Sequence, residues 1–152
     1  MISHSENRLL MYSPDDMLRL VSDIEKYPEF IPWCDAVRVN SRSSNITKDF
    51  EILDADMMVS FKVFREKFSS KVTINKSAKC ISVEYLNGPF KFLRNSWEFV
   101  PSGKNCEVCF EVEFEFRSKT MQRIIGFVFQ DSMKKIVKAF EERAAELYTE
   151  PT

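Results

Sequence analysis

The spacing of hydrophobic positions changes twice along this chain. Met17, Leu20, Val21 and Ile24 recur at i, i+3, i+4 and i+7 and define one apolar helical face. Ser13-Pro14-Asp15-Asp16 opens that helix, with Ser as N-cap, Pro at the first helical position and acids in the first turn. A strand is expected before it, over residues 7–12. The helix should stop before Tyr27, because the residue preceding a proline avoids helical angles. A short helical turn is placed around Glu29.

From residue 33 to 117 the period is two, with turn signals at 42–45, 75–78, 87–89 and 101–105. In the last strand Val108, Phe110, Val112, Phe114 and Phe116 face one way, while Glu107, Glu111, Glu113 and Glu115 face the other. One buried and one wet face imply an antiparallel sheet. Around residues 62–64 the apolar phase slips, from Met57, Val59 and Phe61 to Phe68, Val72 and Ile74, so a turn or bulge belongs there. Over 120–148 the period returns to helical: Met121, Ile124, Ile125, Val128, Met133, Ile136, Val137, Phe140, Ala144 and Leu147 trace one stripe. Gly126 weakens that helix by about 1 kcal/mol and is where a kink is expected.

These elements predict a single α+β domain over residues 1–152. A strand and two short helical pieces precede six antiparallel strands, and the curved sheet wraps a long C-terminal helix. Such a sheet seldom closes fully on its helix, so the space between them is the natural ligand cavity.

Residues 27–34 read Tyr-Pro-Glu-Phe-Ile-Pro-Trp-Cys. Pro28 and Pro32 exclude a regular helix or a central strand, yet the segment is greasy. Composition by itself favours a plug over one end of the core; the sharper reading is a lid or rim for an apolar ligand. The stretch from Asp23 to Cys34 resembles the signature of the coenzyme Q-binding START-domain family. That family includes bacterial proteins described as ribosome association toxins, or as oligoketide cyclase/lipid transport proteins. Further pieces resemble it in order: Phe64-Arg-Glu-Lys-Phe-Ser-Ser-Lys-Val72, Asn87-Gly-Pro-Phe90, Leu93-Arg-Asn-Ser-Trp-Glu-Phe99, then Phe114-Glu-Phe-Arg-Ser118 leading into Gly126-Phe-Val-Phe129. The likeness runs over residues 5–148. It implies a helix-grip, START-like fold and ubiquinone or a similar isoprenoid lipid as bound ligand, with no cofactor. The residues then expected at the ligand are Tyr27, Phe30 and Trp33 on the loop, Phe68, Phe90, Asn95, Trp97, Phe114 and Phe116 on the sheet, and Val128 and Phe129 on the helix.

With 22 basic and 23 acidic side chains the net charge is −1, so no global field recruits nucleic acid or anionic lipid, and no DNA partner is expected. Charge is polarised locally. Arg117, Lys119, Arg123, Lys134, Lys135 and Lys138 face Asp131 alone in the first part of the last helix, whereas acids dominate its end, against the macrodipole. Arg123, Lys134, Lys135 and Lys138 form a basic surface that is either a solvated face or a rest for anionic lipid or ribosomal RNA. Residues 1–6 show no signal peptide or presequence, and no run approaches the roughly 18 apolar residues of a membrane span. A bacterial cytoplasmic protein, peripheral at the inner membrane, is expected.

Catalysis is poorly supported. The lone histidine, His4, falls in an N-terminal segment expected to fray, and no nucleophile elbow, zinc motif or phosphate loop appears. Cys106-Glu-Val-Cys109 spells C-x-x-C within a strand pattern, where positions three apart point to opposite faces. The pairs Asp54 with Asp56 and Glu141 with Glu142 read as solvated surface. Asn95, sharing a face with Leu93, Trp97 and Phe99, either bonds the sheet backbone or orients a head group; Ser70 and Glu66 are secondary candidates. The expected role is non-enzymatic binding of an isoprenoid quinone, with transient membrane contact. Ribosome binding that blocks subunit association, through the large subunit, is the alternative, and a cyclase would need an acid/base that the sequence does not identify.

Overall fold

The computed structural model describes residues 1–61 and 64–148. Among these residues seven strands form one antiparallel sheet in the order β1-β7-β6-β5-β4-β3-β2. The strands are β1 (Ile2–Leu10), β2 (Cys34–Ser44), β3 (Phe50–Phe61), β4 (Phe64–Asn75), β5 (Cys80–Asn87), β6 (Phe90–Ser102) and β7 (Asn105–Phe116). From β2 to β7 each strand pairs with the next, and β1 joins out of order beside β7. Helix α1 (Pro14–Ser22) and a 3-10 turn at Ile24–Glu29 cross from one sheet edge to the other. Helix α2 (Lys119–Leu147) closes the chain against the concave face.

Local chemistry accounts for the helix ends. Ser13 caps α1 by accepting from the Asp16 N–H at 3.1 Å, and Ser22 ends it by donating to the Leu18 carbonyl. Ile24 has left the helix for the 3-10 turn but stays buried. Ser118 caps α2 through the Met121 N–H at 3.2 Å, and the helix continues unbroken through Gly126. No basic residue sits in its last turn, so packing of Phe140 and Ala144 holds that end.

Several boundaries differ from the sequence reading. β1 begins at Ile2 rather than residue 7, because its inward phase carries His4, Glu6 and Arg8, which hide the alternation. His4 is therefore not frayed: it pairs with Val112 of β7 in the ladder. β2 extends to Ser44, past the expected turn, because Arg42 and Ser43 pair with β3 and Asn45 closes the hairpin onto Phe50. The turn or bulge expected near residues 62–64 falls on positions that are mostly outside the described residues. β3 and β4 meet at the Phe61–Phe64 pair, and residues 62 and 63 lie outside the described residues. Leu147, assigned to the buried stripe, is 51% exposed because α2 presents Phe140 and Ala144 to the core instead.

Register shifts at Cys34/Ala36 and Val39/Ser41 in β2, Ser69/Ser70 in β4 and Phe90/Phe92 in β6 are bulges that bend the sheet. The curved sheet does not enclose a single core. One buried cluster groups α1 with Leu53, Ile74, Phe99 and Phe140; the other groups Phe90, Phe114 and Phe116 with Met121, Phe129 and Met133. The space between them matters most for function.

Candidate functional site

A cavity of about 360 Å³ lies between the concave face and α2, walled by members of both clusters. Alternation along the strands builds the wall. Ala55, Met57 and Val59 come from β3, Phe68, Ser70 and Val72 from β4, and Leu93, Asn95 and Trp97 from β6. β7 adds Phe110, Val112, Phe114 and Phe116, while α2 covers them with Phe129, Met133, Ile136 and Phe140. Phe90 anchors the aromatic end, stacked on Phe116 at 4.6 Å between ring centres and edge-on to Phe68 at 5.5 Å.

Among the described residues four polar side chains reach this wall. Ser70 is 6% exposed, and its hydroxyl has no hydrogen-bond partner among the described residues. The hydroxyl opens on the cavity, where a ligand or water can meet it. Asn95 is held in place: its Nδ2 donates to the Glu111 carbonyl at 2.9 Å, and its Oδ1 accepts from Trp97 Nε1 at 3.1 Å. The sheet-backbone role is thus realised, and one amide hydrogen remains for a ligand. The Tyr27 hydroxyl donates to the Val21 carbonyl; burial first, then Cys34 and Asp23, pushes its pKa up. Burial, followed by Asp35, pushes the Cys34 thiol up to about 11. Among the described residues no carboxylate or imidazole lines this cavity.

The structure brings Tyr27, Phe68, Phe90, Asn95, Trp97, Phe114, Phe116 and Phe129 to the wall, together with Ser70. Phe30, Trp33, Val128 and Glu66 lie off it. Phe30 packs edge-on against Tyr27 and Phe140, at 6.0 and 5.4 Å, under the Arg143 guanidinium. Trp33 packs on Phe61 at 5.4 Å, with Lys135 over its ring. The greasy loop therefore straps α2 to the tip of β3. Val128 sits on the flank of α2, because the i+4 row through Met121, Phe129 and Met133 is the buried one.

A polar ladder missed in the sequence borders the cavity. His4 Nε2 lies 3.2 Å from Glu6, Arg8 bonds Glu6 at 2.9 Å, and Arg8 also bonds Glu141 of α2. Burial opposes ionisation of Glu6, yet hydrogen bonds from His4 and Arg8 hold its carboxyl below the usual range. Glu141 is thus tied across to β1 rather than freely solvated. A small apolar pocket of about 50 Å³ beside the ladder shares Trp97, Phe110 and Phe140 with the main cavity. Cys106 and Cys109 are free, and burial raises both thiols, Cys106 to about 11. Asp54 and Asp56 take the phase opposite the buried Leu53 and Ala55.

Comparison with known proteins places these features. Residues 10–141 match the family model described as polyketide cyclase / dehydrase and lipid transport. A Rickettsia prowazekii protein named ribosome association toxin RatA is 32% identical over 150 residues, 97% of this chain and 99% of that one. A Xenopus laevis protein named coenzyme Q-binding protein COQ10 homolog B, mitochondrial, is 29% identical over 97% of this chain and 59% of its own. The solution structure of the 18 kDa protein CC1736 from Caulobacter crescentus superposes with a TM-score of 0.81 at 35% identity, covering 97% of this chain and 98% of that one.

Proposed function

This chain belongs to the polyketide cyclase / dehydrase and lipid transport family, with a START-like helix-grip fold, and we propose on that premise that it binds one isoprenoid quinone, or a closely similar lipid, without transforming it. The cavity carries this reading: about 360 Å³ of aromatic and aliphatic wall, with the Ser70 hydroxyl and one Asn95 amide hydrogen left to donate. A quinone matches that arrangement, because its ring carbonyls accept hydrogen bonds and its prenyl tail suits Phe68, Phe90 and Phe114. Each buried methylene contributes about 0.8 kcal/mol, so two or three isoprene units inside the wall suffice for firm binding. A longer tail extends beyond the cavity. Among the described residues no carboxylate or imidazole, the commonest general acids and bases, lines the wall. The coenzyme Q-binding name of the Xenopus relative supports the ligand class.

Organic extraction of purified protein, followed by mass spectrometry, is expected to yield a quinone or isoprenoid lipid. Added quinone should also raise the melting temperature. Repeated absence of lipid, with no thermal shift across several tail lengths, overturns the proposal.

A second reading, ribosome association, is favoured by the name of the Rickettsia relative, matched over nearly all of both chains. It expects the lipid-free protein to comigrate with ribosomal subunits on a sucrose gradient. Migration free of them at low salt removes it.

A further inference from the structure

Helix α2 covers the cavity with one face and turns the other to solvent. At the centre of that outer face stands Phe127, 91% exposed. Advancing about 100° per residue, the helix sets Phe127 opposite the row of Met121, Phe129, Met133 and Phe140 that it buries. Arg123 and Lys134 flank Phe127 within about 40° of helical rotation, and Lys119 stands nearer the N-terminus. The rest of the basic stretch is already engaged. Arg117 Nε donates to the Phe90 carbonyl at 3.0 Å, Lys135 lies over Trp33, and Lys138 is 3.8 Å from Glu142. Among the described residues Lys119, Arg123 and Lys134 make no ion pair, and Asp131 is the acid close to Phe127 on this face.

A solvated ring at mid-helix adds nothing to folding, and cations without partners are free to meet an anionic surface. Together they have the composition of a helix lying in a lipid interface, with the ring at the acyl boundary and the cations among phosphates. We propose that the outer face of α2 docks on an anionic lipid bilayer, with Phe127 inserted and Arg123, Lys134 and Lys119 pairing with lipid head groups. A bilayer fits this surface better than folded RNA. Phe127 stands on the convex outside of a helix, where a stacking partner would have to be an unpaired base, whereas any fluid head-group region accepts it. Docking in this pose leaves only α2 between bilayer and cavity, since Phe129, two residues on, is part of the wall. The proposal stands independently of what the cavity holds.

The test is cosedimentation of the full chain with phosphatidylcholine vesicles, with and without phosphatidylglycerol. The native protein is expected to favour the anionic vesicles, and salt should weaken that binding. Phe127→Ala should lower partitioning about tenfold, and Arg123→Gln with Lys134→Gln by a similar factor with loss of the salt dependence. Both variants should keep the native melting temperature and their lipid content in detergent, which separates failure of docking from failure of the cavity reading. In Phe127→Trp, brominated acyl chains should quench fluorescence beyond the native Trp33 and Trp97 background. Native-like vesicle binding by Phe127→Ala, or an unquenched Phe127→Trp, overturns the proposal. So does loss of ribosomal comigration or of self-association in Phe127→Ala with vesicle binding intact, which assigns the patch to RNA or to a second copy.

Discussion

Trp33 holds a φ of 67°, a left-handed conformation that costs a bulky L-residue roughly 1–2 kcal/mol. The strain persists because neighbours fix both ends of the residue. Its carbonyl accepts from the Ser60 N–H at 3.0 Å, and its ring is held between Phe61 and Lys135. Two substitutions separate these contributions. Trp33→Ala removes the ring and keeps the strain, and should lower unfolding free energy by about 1–3 kcal/mol. Trp33→Gly also removes the ring but relieves the backbone, so it should be about 1 kcal/mol more stable than Trp33→Ala. Because Trp33 braces α2 and does not touch the wall, quinone affinity of the folded Trp33→Ala protein should change less than about tenfold, or 1.4 kcal/mol. Denaturant unfolding and quinone titration on the same samples decide the matter. A larger loss of affinity at unchanged stability would place the ring on the ligand after all.

Hairpins, helices and edge strands respond to constraints of different range. The β5–β6 turn needs Gly88 for two reasons: its φ is 146°, and a Cβ there would lie 2.6 Å from Phe68 Cβ and 3.0 Å from Phe68 Cα. Backbone cannot swing aside, so Gly88→Ala should cost about 2–4 kcal/mol and displace a wall residue. At the β6–β7 turn Gly103 has a φ of 61° with nothing within 4 Å, so Gly103→Ala should cost only about 1 kcal/mol, the conformational part alone. Equal urea-unfolding losses for the two would remove the steric argument. This contrast shows what a sequence makes legible. The alternation of valine or phenylalanine with glutamate in β7, the Ser-Pro start of α1 and the glycine turns are local signals, and each lies where its pattern places it. The start of β1 is hidden in the sequence because His4, Glu6 and Arg8 occupy its inward phase, and Glu141, the partner of Arg8, lies 133 residues away. The buried face of α2 is less legible. Its apolar residues span more than the buried arc, so the pattern alone makes Val128 on the flank equivalent to Phe129 on the wall. The aromatic loop is legible as something that must pack, but the sequence does not show how it divides: Tyr27, Ile31 and Cys34 join the wall, while Phe30 and Trp33 strap the loop to α2 and to β3.

At the scale of the whole molecule, the void is the feature that folding alone does not explain. Cavities in well-packed cores cost on the order of 20 cal/mol per Å³, so about 360 Å³ that side chains leave unfilled forgoes several kcal/mol of packing. A domain of this size has a total stability of only about 5–15 kcal/mol. Filling the space from within should therefore have the opposite sign from ordinary overpacking. Ala55 is 3% exposed, pairs with Ser70 of β4 and faces the cavity. In a filled core Ala55→Leu would cost about 1–3 kcal/mol through clashes. Here the added methylenes enter free space, so lipid-free Ala55→Leu should be as stable as the native chain, or about 1 kcal/mol more stable. The same side chain crowds the Ser70 hydroxyl on the wall, so quinone affinity should fall at least about tenfold. Stability measured after delipidation, with quinone titration on the same protein, checks both expectations. If Ala55→Leu proves destabilised by the full overpacking cost, the space is not available to a ligand and the binding reading falls with it. A stable variant that still binds quinone normally would move the head group away from Ser70, towards Asn95 and the β6–β7 side of the wall.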